Sequence, residues 1–175
     1  MANQVKQLLN ESGIEAKLDK DRGFDHGLFV PLKIMYPDAG IPCIQLSLVK
    51  GLDPTEHIKI GLTLSGLEYE NLLIIGSGFS FHNMKAFFSP DTDDSKMMNE
   101  RFEEWLIDTC SNVHIEETER IKRLENWEYA PFARYCHPRE EHLLPLHVCY
   151  GIANSACKKY IELRILHKKS SFYLW

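Results

Sequence analysis

The sequence predicts an α/β layered domain, with a central mixed, largely parallel sheet flanked by helices. Three observations carry this expectation. Residues 71–75 end in the continuous apolar run Leu72-Leu73-Ile74-Ile75, closed by Gly76, the pattern of a strand buried on both faces. Residues 41–49 alternate and are rich in branched side chains, as a strand should be. Around these runs, apolar residues recur at helical spacing, most clearly Phe102, Trp105 and Leu106.

Taken in order, residues 4–9 read as an amphipathic helix with Val5, Leu8 and Leu9 on one side. Residues 10–13 supply a stop signal, and an edge-like segment follows over 14–18. Residues 23–27 form a loop. Pro31 then fits the first turn of a short helix reaching Met35, closed by Tyr36-Pro37-Asp38. Asp53-Pro54 is an N-cap followed by a proline at the first helical position, and that helix should run to about Leu64. Gly76-Ser77-Gly78 is a turn, residues 90–95 an acidic loop, and residues 97–109 and 116–124 are two further helices. Residues 128–139 are irregular and aromatic. Pro138 opens a helix expected over 139–153, residues 160–166 alternate as a late strand, and 172–175 form a final edge.

The bulk properties exclude several function classes. The 175 residues suffice for one compact domain, and 44% hydrophobic with 26% charged residues is ordinary for a globular protein. The net charge of −5 leaves no basic field to hold nucleic acid or an anionic membrane. Lys158-Lys159 and Lys168-Lys169 read as solvated strand ends. The apolar runs are strand-sized, far short of a membrane span. Five cysteines, Cys43, Cys110, Cys136, Cys149 and Cys157, occur without a C-x-x-C pair, and no secretory signal precedes them. A reducing, cytoplasmic compartment is expected.

Three histidines lie where the backbone would present them. His26 sits in Gly23-Phe24-Asp25-His26-Gly27, where the glycines permit sharp turns and Asp25 could orient the imidazole. Histidine titrates near neutral pH and so can take or return a proton, although taken alone His26 reads first as a turn residue without a role. His82 follows the Gly76-Ser77-Gly78 turn, just past the carboxyl end of an expected buried strand, where ligands bind in open α/β sheets. A neutral imidazole there could ligate a divalent metal, with Asn83 in support; the competing reading is structural punctuation. His142 falls early on the expected 139–153 helix. Glu141-His142 lacks the H-E-x-x-H spacing of zinc proteases, and His142 shares a face with Leu146, so a core histidine is at least an equal reading. His57, His114, His147 and His167 have no local constellation and are read as structural. No P-loop or dinucleotide-binding glycine motif occurs.

Three sequence blocks change these odds. Gly23-Phe24-Asp25-His26-Gly27 with Val30-Pro31-Leu32-Lys33-Ile34-Met35-Tyr36-Pro37-Asp38-Ala39 and Ile41-Pro42-Cys43-Ile44-Gln45-Leu46-Ser47-Leu48 closely resembles the class III extradiol ring-cleavage dioxygenases of the DOPA 4,5-dioxygenase type. Gly76-Ser77-Gly78 with His82-Asn83 matches the family's next block. Pro138-Arg139-Glu140-Glu141-His142-Leu143-Leu144-Pro145-Leu146 matches a third, where the family usually has a small or hydroxyl residue in place of Arg139.

The resemblance implies a non-haem metal enzyme that opens a catechol-type, DOPA-like ring with O₂, using Fe(II) or Zn(II). It implies His26 as the acid/base residue and His82 and His142 as metal ligands. It also exposes a departure. The family's early His-Gly-Ser and Ser-Ala-His type turns, each with a metal-ligating histidine, have no counterpart here, and central strands of the sheet go with them. Residues 1–175 are therefore expected to form a single, incomplete domain, an N-terminally truncated relative lacking the N-terminal strands. An open metal site needs about three protein ligands, and His26 or His137 could substitute for an absent one. Three explanations stand: a fragment, half of a split enzyme whose site a second chain completes, or a degenerate relative. The alternative function is that of an inactive fragment or pseudo-enzyme acting as a binding or interaction protein, through an exposed sheet edge and the aromatic segment from Trp127 to Tyr135. A zinc hydrolase lacks a glutamate at a recognisable catalytic spacing.

Overall fold

A computed structural model describes all residues, Met1–Trp175. Eight α-helices run in chain order: α1 (Ala2–Glu11), α2 (His26–Met35), α3 (Pro54–Leu64), α4 (Met84–Phe87), α5 (Asp93–Ser111), α6 (Glu117–Glu125), α7 (Ala133–Cys136) and α8 (Leu144–Ala153). Short 3-10 turns occupy Trp127–Tyr129 and Glu140–His142, and the chain ends in a hairpin of β1 (Lys159–Ile165) and β2 (Lys168–Leu174).

Local chemistry accounts for most of the boundaries. The Asp53 side chain accepts from Thr55 N–H, and Pro54 opens α3, as the sequence predicts. Thr92 and Ser95 form a reciprocal capping box at the start of α5, with Asp93 and Asp94 in its first turn. β1 and β2 pair antiparallel from Lys159↔Leu174 to Ile165↔Lys168. The two-residue turn places Leu166 and His167 at φ +47° and +68°. Such a turn normally takes Asn-Gly, so the sequence shows a late strand and a final edge without announcing the hairpin. Lys168 is not a solvated strand end: its side chain is buried, with Nζ 2.6 Å from Asp91 Oδ1.

The main core gathers Phe81, Phe102, Leu106, Leu124, Trp127, Leu143 and Tyr150, all nearly or fully inaccessible. Trp127 thus belongs to the interior, while Tyr129 and Phe132 of the same aromatic segment are exposed. A smaller cluster, Val5 and Leu9 with Ile60 and Leu64, seals α1 against α3. α3 and α8 cross at glycines: a Cβ on Gly61 would overlap the Val148 carbonyl oxygen, and one on Gly151 would overlap that of Ile58. Gly151→Ala is therefore expected to destabilise the fold by about 1–3 kcal/mol through overpacking, read as a lower urea midpoint. An unchanged midpoint would show that the crossing is loose.

The structure is α/β, but its hydrogen-bonded sheet is two-stranded and antiparallel. The central, largely parallel sheet is not formed. Residues 41–49 and 71–75, expected as strands, make no ladder, and neither does the edge-like segment 14–18. A strand needs a neighbour for its N–H and C=O groups, and this chain places none beside these segments. Their side chains are correspondingly open: Ile41, Ile44, Leu46, Leu73, Ile74 and Ile75 are exposed. α2, which buries no residue, adds Phe29, Val30, Ile34 and Met35 to the same exposed apolar set.

Two helix expectations also need correction. α2 begins at His26, not at Pro31, because the Asp25 carbonyl already accepts from Leu28 and Phe29 N–H at 3.1 Å. Pro31 lies inside the helix. The expected 139–153 helix is broken: Glu140–His142 is a 3-10 turn and α8 starts at Leu144. Pro145 has no N–H to give to the carbonyl four residues back, so an α-helix cannot run through from residue 141 with its bonding intact. His142 and Leu146 consequently sit on different elements.

Candidate metal and acid/base site

The segment after Gly76 is pressed against the start of α8. A Cβ on Gly76 would stand 2.6 Å from Cys149 Sγ and 2.9 Å from the Pro145 carbonyl oxygen, while one on Gly78 would collide with the His142 carbonyl oxygen. Glycine at both positions lets the two backbones meet, and Phe79 N–H then donates to that His142 carbonyl at 2.8 Å. Three residues on, His82 N–H donates to the Cys136 carbonyl at 3.0 Å. Asn83 caps α4 by accepting from Ala86 N–H at 3.1 Å, and its Nδ2 donates to the Tyr135 carbonyl at 2.7 Å. The expected support of His82 by Asn83 is thus a matter of backbone anchoring.

These anchors bring His82 and His142 face to face. Their ring centroids are 3.4 Å apart and the planes differ by 11°. Both side chains are half-buried. Burial, then the His82 ring, holds the His142 imidazole below its ordinary pKa; Glu141 opposes the shift and His26 adds to it. His142 Nδ1 is buried without a hydrogen-bond partner, with Glu141 Oε1 at 3.7 Å. A neutral imidazole with a free ring nitrogen is the form in which histidine ligates metals.

His26 is the first residue of α2 and is exposed. A Cβ on its neighbour Gly27 would lie 3.4 Å from Ser77 Oγ, so the start of α2 abuts the glycine turn. All three histidines singled out in the sequence therefore belong to one region. Asp25 does not orient His26 by any hydrogen bond. Its carboxylate accepts from Gln45 Nε2, and Asp25 N–H donates to Gln45 Oε1 at 3.1 Å.

Gln45 is a residue that sequence reasoning missed; a lone amide in the alternating 41–49 run was its only signal. Arg134 is another. It stacks 4.7 Å over Trp127 and pairs with Glu128 at 3.0 Å and Glu140 at 2.8 Å, bracing the 3-10 turn that presents His142. His137 offers no third ligand, because its ring is fully buried with Nε2 2.7 Å from the Ser80 carbonyl. His57 and His147 are structural, as expected: both are buried and bonded to main-chain groups.

As a metal site this donor set agrees in kind but not in number or direction. No group of three or more His, Cys, Asp or Glu side chains is placed to hold an ion, whereas open sites use about three protein ligands. An imidazole nitrogen binds metal in the plane of its ring. Two nearly parallel rings facing each other do not aim at one point.

Comparison with known proteins places the chain among the class III extradiol dioxygenases. It belongs to the family described as the catalytic LigB subunit of aromatic ring-opening dioxygenase, which matches residues 1–174. It is 39% identical over 160 residues to a 4,5-DOPA dioxygenase extradiol of Beta vulgaris, covering 90% of this chain and 57% of that protein. The corresponding protein of Mirabilis jalapa is 38% identical over 160 residues, covering 87% of this chain and 55% of the relative. Dioxygenase tasH of Hapsidospora irregularis is 36% identical over 143 residues, or 78% of this chain and 44% of its own length. A crystal structure of an uncharacterized Escherichia coli K12 protein superposes with a TM-score of 0.76 at 25% identity, over 99% of this chain and 71% of that one. The chain thus spans little more than half the length of the plant relatives it matches. No helix is long and apolar enough to cross a membrane.

Proposed function

We propose that this chain carries part of the active site of an extradiol dioxygenase that opens a catechol-type, DOPA-like ring with O₂. In this reading His82 and His142 are metal ligands and His26 is the acid/base residue. The observation that carries it is the 3.4 Å pairing of the His82 and His142 rings beside the start of α2. Each histidine comes from a different block of the family resemblance, and the fold puts the blocks together.

The metal, Fe(II) or Zn(II), needs further ligands and a rotation of at least one ring, so residues outside this chain complete its shell. The same completion explains the apolar face. On this reading residues 1–175 are one incomplete domain, and segments 41–49 and 71–75, which make no ladder here, become strands of a mixed, largely parallel sheet when strands from outside this chain pair with them. His26, exposed at the head of α2, is free to exchange a proton with a phenolic hydroxyl. Five free cysteines accord with a cytoplasmic setting. A second reading, a binding protein without activity, draws on the exposed apolar residues of α2 and of the unpaired segments, a set of the kind that marks interaction surfaces.

Oxygen uptake separates the two. The chain is loaded anaerobically with Fe(II), mixed with the part of a relative such as the Beta vulgaris protein that it does not span, and given DOPA and air. Oxygen consumption with a yellow ring-opened product is expected. A stable complex that consumes no oxygen would sink the dioxygenase reading and leave the binding one.

A further inference from the structure

Behind the histidine pair lies a buried polar row that the proposed chemistry does not use. Glu103, in the middle of α5, is completely inaccessible. One carboxyl oxygen accepts from Ser171 Oγ of β2 at 2.5 Å, and the other has no partner. Ser171 N–H donates to Ser80 Oγ at 2.8 Å, and the Ser80 hydroxyl lies beside the Glu103 carboxyl. The Ser80 carbonyl in turn faces His137 Nε2 at 2.7 Å. Ser80 is two residues before His82, and His137 follows Cys136, the carbonyl partner of the His82 N–H. The segment that carries His82 is thus held at both ends by groups leading back to Glu103 or to its neighbours.

A core requires none of this. A carboxyl with one unpaired oxygen in an apolar interior costs stability, and well-packed leucine would serve better if packing were the only need. We propose that Glu103 is a positioning residue for the histidine site, fixing the segment that bears His82 to α5 and β2 through Ser171 and Ser80. The inference rests on the reading of His82 as a site residue.

Protonation decides how well the carboxyl performs this task. Burial pushes Glu103 up to about 7, against the pull of the Ser171 and Ser80 hydroxyls and of Lys169. Its other titratable neighbours are Glu162 of β1, Tyr173 of β2, Cys110 of α5 and Cys136 of α7. Lys169 is paired with Glu162 and does not neutralise Glu103 by itself. Below this range the acid is neutral and can donate as well as accept. Above it the group is a buried anion that can only accept, drawing on the Ser171 and Ser80 hydroxyls, so the hydrogen bonding of the Ser80 segment differs between the two forms.

The test compares the full chain with Glu103→Gln, which keeps shape and neutrality at every pH, and with Ser171→Ala. Amide signals of Ser80, Phe81 and His82 are followed by NMR between about pH 6 and pH 9, and Zn(II) affinity is measured at both ends. In the wild type the amides should shift with a midpoint near that of Glu103, and the shift should be absent in Glu103→Gln. The ratio of wild-type to Glu103→Gln zinc affinity should change by about threefold or more between low and high pH, where a merely structural role would leave it constant. Ser171→Ala should weaken the amide shift while the protein stays folded by circular dichroism. Identical amide titrations in wild type and Glu103→Gln would overturn the proposal. If no variant binds zinc, the metal reading fails separately, and the amide titration alone decides the role of Glu103.

Discussion

His82→Ala and His142→Ala are each expected to lower metal affinity by about 100-fold or more once the site is completed, because loss of even a supporting partner commonly costs 10–100-fold. His26→Ala should leave metal affinity unchanged and lower turnover. The division follows from placement. His82 and His142 face each other at 3.4 Å, half-buried, and His142 has a free ring nitrogen; His26 lies exposed at the head of α2. Equilibrium dialysis against Zn(II), with oxygen uptake on the same samples, checks both halves. Equal metal affinity in all three variants would contradict the assignment.

Acid should unfold the protein at a pH well above that needed to protonate its surface carboxylates. His137 and His147 are fully buried, and burial pushes both down from 6.5 to about 4. The unfolded chain therefore takes up two protons as pH falls below 6.5 while the folded chain does not. The stability these histidines contribute is complete above 6.5 and is lost as pH falls toward 4. At 1.36 kcal/mol per unit, each contributes roughly 3 kcal/mol, so the pair approaches the whole stability of an ordinary domain. Glu103 works in the opposite sense: its raised value means that stability is lost as pH rises from 4.5 through about 7. Maximal stability should thus fall near pH 6.5. Urea midpoints measured from pH 8 to 4 check this, and His147→Gln, which keeps a donor for the Leu124 carbonyl without a titrating ring, should flatten the acid limb. A midpoint that holds steady between pH 6.5 and 4 would show that the two rings are not kept neutral.

What could be read from the sequence was whatever depends on neighbours along the chain. Asp53-Pro54 and the spacing of Phe102, Trp105 and Leu106 suffice for α3 and α5, because caps and helical periodicity act within a few residues. The broken helix at Pro145 also follows local rules, yet it was masked by apolar periodicity running through Leu143, Leu144 and Leu146. The strand pattern of residues 41–49 and 71–75 is real in the sequence and has no ladder in the fold, because strand formation depends on partners this chain does not place there. The site divides the same way. His26, His82 and His142 stood out through their blocks, but no spacing shows that two rings 60 residues apart stack. Gln45 and Glu103 were invisible because their roles exist only through long-range contacts, with Asp25 and Ser171; Arg134 pairs with Glu140 only six residues on, but across an irregular segment whose path no helical or strand spacing reveals.

The central claim is that this chain holds two ligands of a metal site that residues outside it complete. Anaerobic titration with Fe(II), repeated with Zn(II), tests it most directly, first on the chain alone and then with the unspanned part of a relative added. Weak binding by the chain alone, rising to about one tight metal per chain in the complex and lost in His82→Ala with His142→Ala, is the expected result. Binding that does not tighten on addition, or that survives the double substitution, would contradict it.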